Sequence, residues 1–284
     1  MSKPVPAQIS EHVYWLPPHT PVRPSLGMVV GKRYTLMLDA GASAAHARYF
    51  LDQLAGQGVS APDFVVLTHW HWDHVLGAAE PGVPVIANAR TAKKLATFAS
   101  ADWSDEGLDR WVREGAMSAA GIEQLKLELP SPRDVRIAVP TFVLTDGLEI
   151  DLGGVRCVIR HVGGDHADDS TVIHVQPDGV LFLGDCLYGS IYKPGTYTSE
   201  RLLPLIEKLL ALDVEHSIGG HNNTIIRRAE FETYVGKMRL AAQLVAEIGA
   251  DEAAVLEAAQ SQTRQPPDND LIRVVRSLIA GRMD

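Results

Sequence analysis

Cysteine is scarce. Of 284 residues only two, Cys157 and Cys186, carry thiols, too few for a disulfide framework and the wrong number for a cysteine-built zinc site. Basic clusters are missing as well. Lys and Arg number 26 against 35 Asp and Glu, a formal net charge of -9. No Lys/Arg-rich stretch offers the footprint of a nucleic-acid binder or a partner for an anionic membrane surface. The opening MSKPVPAQIS has no apolar h-region, so no signal peptide is expected. No apolar run approaches the roughly 20 residues of a membrane helix, and no internal repeat or low-complexity tract is present. These absences leave a soluble, cytoplasmic enzyme with a small-molecule substrate as the expectation, the acidity serving solubility.

A hydrophobic share of 46% is enough for a sizeable core. The length lies within reach of one large domain, although a length prior alone suggests two. One domain over residues 1–284 is expected. HVYWL, LGMVVG and YTLMLDAG read as strands, the last two joined through Gly31-Lys32-Arg33. AAHARYFLDQLAGQG has helical spacing, with Gly56 or Gly58 as its stop. Phe64 to Leu67 and VPVIAN are short buried strands. Residues 90–130 turn helical and read as an insertion over one face. β character returns in FVL, LEIDL, VRCVIRHV, STVIHVQ and VLFLGD, punctuated by Asp146-Gly147, Gly153-Gly154 and Asp178-Gly179. TSERLLPLIEKLLAL is an amphipathic helix with Thr198 or Ser199 as its cap. SIGG is a last strand before His221, and residues 226–284 form a helical extension broken at Gln265-Pro266-Pro267. This is no regular βαβα alternation. It fits an α+β arrangement of two packed sheets with helices outside.

The chemistry concentrates in Thr68-His69-Trp70-His71-Trp72-Asp73-His74. Side chains two apart in an extended segment share a direction, so His69 and His71 grip one metal together. A turn or helix start then re-aims Asp73 and His74 toward a second. Three histidines and an aspartate in six positions are hard to explain as a metal-free loop. Imidazole and carboxylate ligands suit zinc, iron or manganese.

This H-x-H-x-D-H pattern resembles the signature of the metallo-β-lactamase superfamily, and the remaining landmarks follow in order. Asp39 ends an early strand in LMLDAG, His166 stands in HVGGDHADDS with Asp165 between it and Gly164, Asp185 follows a buried strand in LFLGDCLY, and His221 closes SIGGH. The resemblance covers about residues 12–225. It implies a four-layer αββα sandwich with the site at the sheet edges. Carried over, His69, His71 and His166 hold metal one, Asp73, His74 and His221 hold metal two, and Asp185 bridges them. Asp39 orients ligands by hydrogen bonding. The implied cofactors are two divalent ions, zinc foremost. The implied activity is hydrolysis of a small ester, lactone or thioester by a metal-bound hydroxide, with Asp73 also orienting the nucleophile or moving a proton.

The bridging Asp185 separates this chain from the antibiotic-hydrolysing branch, whose second sites are built on Cys or His, and groups it with lactonases, glyoxalase II, phosphodiesterases and ribonuclease Z. His71 argues against the flavodiiron branch, which has an acid there. Tyr188, three positions past Asp185, corresponds to a tyrosine that contacts substrate in acyl-homoserine lactonases; it is a candidate catalytic donor, with packing under the next loop as the alternative. Trp70 and Trp72 alternate with the ligands and face away from the metals. Trp103 and Trp111 either pack the insertion or line a lid. His161, His174 and His216 are expected to be structural, and His12, His19 and His46 to lie on the surface or in loops. Rival readings are a phosphodiesterase of the same fold and a non-hydrolytic iron redox or binding protein. The C-terminal helices, through Leu240, Leu244 and Val245, offer a homodimer interface or a cover for one sheet.

Overall fold

Period-two alternation builds the centre of the molecule. The computed structural model describes residues 3–282; the ends of the expected span, residues 1–2 and 283–284, lie outside it. In β10 (Thr171–Gln176), Ile173 and Val175 point into the space between two sheets and Val172 points the other way. β11 (Val180–Gly184) repeats the rule, with Val180 and Phe182 inward and Leu181 and Leu183 outward. On the facing sheet β4 (Thr35–Leu38) sends Leu36 and Leu38 inward and Met37 outward. Strands apolar on both faces need cover on both faces, and this chain supplies it.

The first sheet runs in chain order. β1 (Ala7–Gln8), β2 (Val13–Leu16), β3 (Leu26–Val30) and β4 pair antiparallel, and β4, β5 (Phe64–Val66), β6 (Val85–Asn88) and β7 (Phe142–Leu144) pair parallel. The second has the order β13 (Ile226–Arg227), β12 (His216–Gly219), β11, β10, β9 (Arg156–His161), β8 (Gly147–Asp151). Within it β11 and β12 are parallel and the other pairs antiparallel. Outside the first sheet pack α1 (Ala44–Ala55) and the insertion helices α3 (Ala89–Ala99), α4 (Asp105–Arg113) and α5 (Ala119–Glu128). Outside the second pack α6 (Ser199–Leu210), α7 (Arg228–Ile248), α8 (Glu252–Thr263) and α9 (Asn269–Arg282). The four-layer αββα sandwich expected from the sequence is the observed fold.

Several local readings change. His46 is fully buried inside α1, where its Nδ1 accepts from the Ala42 backbone N–H at 3.3 Å. Its ring meets His19 edge-on at 5.1 Å, so neither is a free surface group. His12 is not free either, since its Nδ1 lies 2.8 Å from Asp178. Thr198 occupies the N-cap position of α6 without capping through its own side chain. Asp165 fixes this residue instead, accepting from the Thr198 backbone N–H at 3.1 Å and its hydroxyl at 2.9 Å. Leu244 and Val245 are buried against the second sheet with Leu240 packed beside them, so these positions cover the sheet rather than face a partner. Trp103 and Trp111 pack on each other at 5.1 Å and on Phe98, which is ordinary helix packing. Among the described residues no helix is long and apolar enough to cross a membrane.

Phe182 fills the space between the sheets, close over Gly27, where a Cβ would come within 2.5 Å of its ring. Phe182→Ala is expected to cost about 3–5 kcal/mol. Phe142→Ala, on an exposed strand, is expected to stay within about 0.5 kcal/mol. Urea unfolding of the two variants checks the pair.

Candidate metal centre

Two parallel strand pairs end on the same rim. β4 runs out at Asp39 and its neighbour β5 at Thr68; across the sandwich β11 runs out at Gly184 and β12 at Gly219. Every chemical residue named from the sequence hangs from these ends or from the loop after β9. His71 is still extended (φ -60°, ψ 141°) and serves as N-cap of the one-turn α2 (Trp72–Val75). The switch from extended to helical is what separates the aim of His69 and His71 from that of Asp73 and His74.

Glycines permit the close approach. Gly184 has φ +51°, and a Cβ there would strike the Thr68 side chain at 2.7 Å. A Cβ on Gly220 would sit 2.1 Å from Asp185 Oδ1 and 2.9 Å from His74. The residues before Asp185 and His221 are therefore glycines for a steric reason.

The side chains converge on Asp185. Its Oδ2 lies 3.3 Å from His166 Nε2, 3.3 Å from His221 Nε2, 3.4 Å from His74 Nε2 and 3.9 Å from His69 Nε2. His69 Nε2 lies 3.0 Å from His71 Nδ1. Asp73 Oδ2 lies 3.2 Å from His221 Nε2 and 3.8 Å from His74 Nε2. Two groups of potential ligand atoms result, each within a 4.8 Å span: His69, His71, His166 and Asp185, then Asp73, His74 and His221. This is the division expected from the sequence, with Asp185 at the junction.

The histidines are held from behind. His74 Nδ1 faces Asp39 Oδ2 at 2.7 Å. His69 Nδ1 faces Thr68 Oγ1 at 2.9 Å, and that hydroxyl donates to Asp39 Oδ2 at 2.8 Å. Asp39 Oδ1 also accepts from the Thr68 backbone N–H at 2.7 Å. His166 Nδ1 donates to the Gly189 carbonyl at 3.2 Å. These bonds leave three Nε2 atoms aimed inward. Asp39 itself has φ 54°, an uncommon conformation for a residue other than glycine.

Electrostatics fit a cation. Burial and then the charge of His74 and His71 hold the His69 imidazole well below its usual range. Burial, aided by His166, takes His71 down to about 3. Burial would raise Asp185, but His74 and the close imidazoles of His166 and His221 hold it well below the carboxylate range. Burial would lower His221, but Asp185 and Asp73 carry it up to about 9. His74 Nε2, His166 Nε2 and Asp185 Oδ1 are buried with no hydrogen-bond partner. Orphaned donor atoms of this kind are costly unless an ion satisfies them, and an all-imidazole and carboxylate set suits divalent first-row metals.

Trp70 and Trp72 are nearly buried and belong to the core under the insertion, while also walling the site. Cys186 turns away into the core beneath the C-terminal helices. Tyr188 lines the site, but its hydroxyl donates to Asn222 Oδ1 at 2.7 Å. A cavity of about 950 Å³ opens above the cluster between the α4–α5 turn, the 188–197 loop and α9. Thr68, Gly220, Asn222 and Ser25 complete the site without a motif to mark them; Ser25 donates through Oγ to the Gly219 carbonyl at 3.0 Å and through its N–H to the Gly220 carbonyl. The glycine pair before His221 is the one visible signal for these contacts.

The metallo-β-lactamase superfamily model matches residues 19–221. An acyl-coenzyme A thioesterase MBLAC2 from Bos taurus is 28% identical over 229 residues, 71% of this chain and 74% of the relative; its Homo sapiens counterpart is 27% identical over 223 residues, with the same shares. Among solved structures, a stereoselective inverting sec-alkylsulfatase from Pseudomonas sp. superposes with a TM-score of 0.66 at 15% identity, over 99% of this chain and 50% of that one. A class B3 di-zinc metallo-β-lactamase from an Alaskan soil metagenome gives 0.56 at 15% identity, over 77% and 79%. Fold, ligand cluster and relatives together define a metal-dependent hydrolase. The chain belongs to the metallo-β-lactamase superfamily.

Asp39→Ala removes the acceptor behind His74 and the end of the Thr68 relay. Loss of such a partner is expected to weaken metal affinity about 10–100-fold. Competition with a chromophoric chelator measures it; unchanged affinity would contradict the orienting role.

Proposed function

We propose that the protein is a dinuclear hydrolase of thioesters, with small esters and lactones as the chemically adjacent substrates. The observation that carries this reading is Asp185 Oδ2 standing 3.3–3.9 Å from four histidine Nε2 atoms on the floor of a largely apolar cavity. The name borne by the mammalian relatives supports the thioester. His69, His71 and His166 would hold one ion, Asp73, His74 and His221 the other, and Asp185 both; zinc is the proposed metal. Two bound ions would supply a water of lowered pKa and stabilise negative charge on the reacting oxygen.

The chain's own groups do the rest. Asp73 lines the open cavity and can also accept and pass on a proton. Trp72, Val112, Met117 and Ile191 give an acyl arm an apolar surface and exclude water from the cleft. Tyr188 spends its one proton on Asn222. The geometry favours a tyrosine that steadies the His221–Asn222 turn over one that donates to substrate.

The zinc-loaded protein is expected to release thiol from a medium-chain acyl thioester, followed colorimetrically. Asp185→Asn is expected to lower kcat by at least about 100-fold. No thioester hydrolysis by the loaded protein, or full activity in the variant, would contradict the reading. Tyr188→Phe is expected to keep kcat within about 10-fold while loosening the second metal. A substrate donor would instead show a fall of about 100-fold in kcat with metal content intact.

A further inference from the structure

Two depressions meet at the cluster. Besides the cavity above the metals, a groove of about 420 Å³ opens on the far side of His166. The two share Trp70, His166, Ser190 and Tyr192, so a molecule occupying both would pass directly over the ligand cluster. Their chemistry differs. The cavity wall is mainly apolar, whereas the groove carries Lys94 from α3, Lys193 from the 188–197 loop and Arg201 from α6, with the Ser190, Thr196 and Thr198 hydroxyls between them.

The charges there do not cancel. Asp165 and Asp168 are the acids of the groove. Asp165 already accepts two hydrogen bonds from Thr198. Asp168 faces Arg90 at 3.9 Å. Among the described residues neither Lys94 nor Arg201 forms an ion pair; Lys94 Nζ instead lies 4.7 Å over the Trp70 ring. Trp70 sits between His69 and His71, so this contact holds the ammonium beside the metal-ligand segment. In a chain of net charge -9, Lys94 and Arg201, neither in a close ion pair, face one groove beside Asp165 and make a local attraction for anions.

We infer that the groove binds the phosphate-bearing end of the leaving thiol. The substrate is then a thioester of an apolar acid with a phosphorylated carrier thiol, acyl arm in the cavity and carrier in the groove. This rests on the thioester reading above. The C–S bond lies over His166 and Asp185, where the two depressions join. Water adds to the acyl carbon, the C–S bond breaks, one proton of the water ends on the departing sulfur, and the acid leaves with the water oxygen; no other reactant is needed. Arg201 offers phosphate a fork of N–H donors and Lys94 a point charge.

The test compares one acyl group on two thiols, coenzyme A and uncharged N-acetylcysteamine, with zinc-loaded wild type, Lys94→Ala, Arg201→Ala and the double variant. Both side chains are exposed, so folding is preserved, and metal content is measured alongside. The double variant is expected to raise KM for the coenzyme A ester about 10–100-fold. The N-acetylcysteamine ester should stay within about twofold, and Arg201→Lys should recover part of the loss. Added salt should weaken the wild-type preference for the charged ester. Equal effects on both esters, or no effect on either, would overturn the groove assignment and leave thioester hydrolysis standing. If wild type cleaves neither ester, the thioester reading falls and the groove assignment with it.

Discussion

A buried carboxylate among imidazoles organises this molecule. Asp185 is almost fully enclosed, and an isolated charge there would be expensive. The rest of the rim answers that charge. β11 delivers the carboxylate through a left-handed glycine, β12 delivers His221 through a second glycine, and β5 with its one-turn helix delivers four more groups. Removing one partner leaves the others facing an unbalanced charge, so the cluster behaves as a unit. Asp39, although it contacts no position where a metal would sit, ties two of the histidines to the first sheet, His74 directly and His69 through Thr68. The sandwich below is the rigid support that makes these sub-ångström requirements attainable.

The same rim explains how one fold can serve several substrates. The ligand groups come from strand ends, while the walls come from the α3–α5 insertion, the 188–197 loop and α9. The likeness to a sec-alkylsulfatase over nearly the whole chain at 15% identity is one of scaffold. In this chain the walls are apolar on one side of His166 and cationic on the other.

Much of this was legible from residue spacing. The H-x-H-x-D-H run could be split into two directions because extended backbone and helix aim side chains differently, and the helix starting at Trp72 does so. Alternating strands, the insertion and the C-terminal helices were readable from period alone. Other features depend on tertiary packing that spacing does not encode. His46 looks like a surface helix residue until the Gly41 turn closes over it, where a Cβ would approach its ring to 2.3 Å. Thr198 is the N-cap, as its residue type suggests, but its side chain is held by Asp165, more than thirty positions upstream. Asn222 and Ser25 are ordinary polar residues in sequence; only the fold sets one against Tyr188 and the other against the glycines before His221.

The most direct test of the account is anomalous diffraction at the zinc edge from crystals of the zinc-loaded protein. The account predicts two peaks, one among His69, His71 and His166, the other among Asp73, His74 and His221, with the Asp185 carboxylate touching both. A single peak, or two that do not share Asp185, would contradict it.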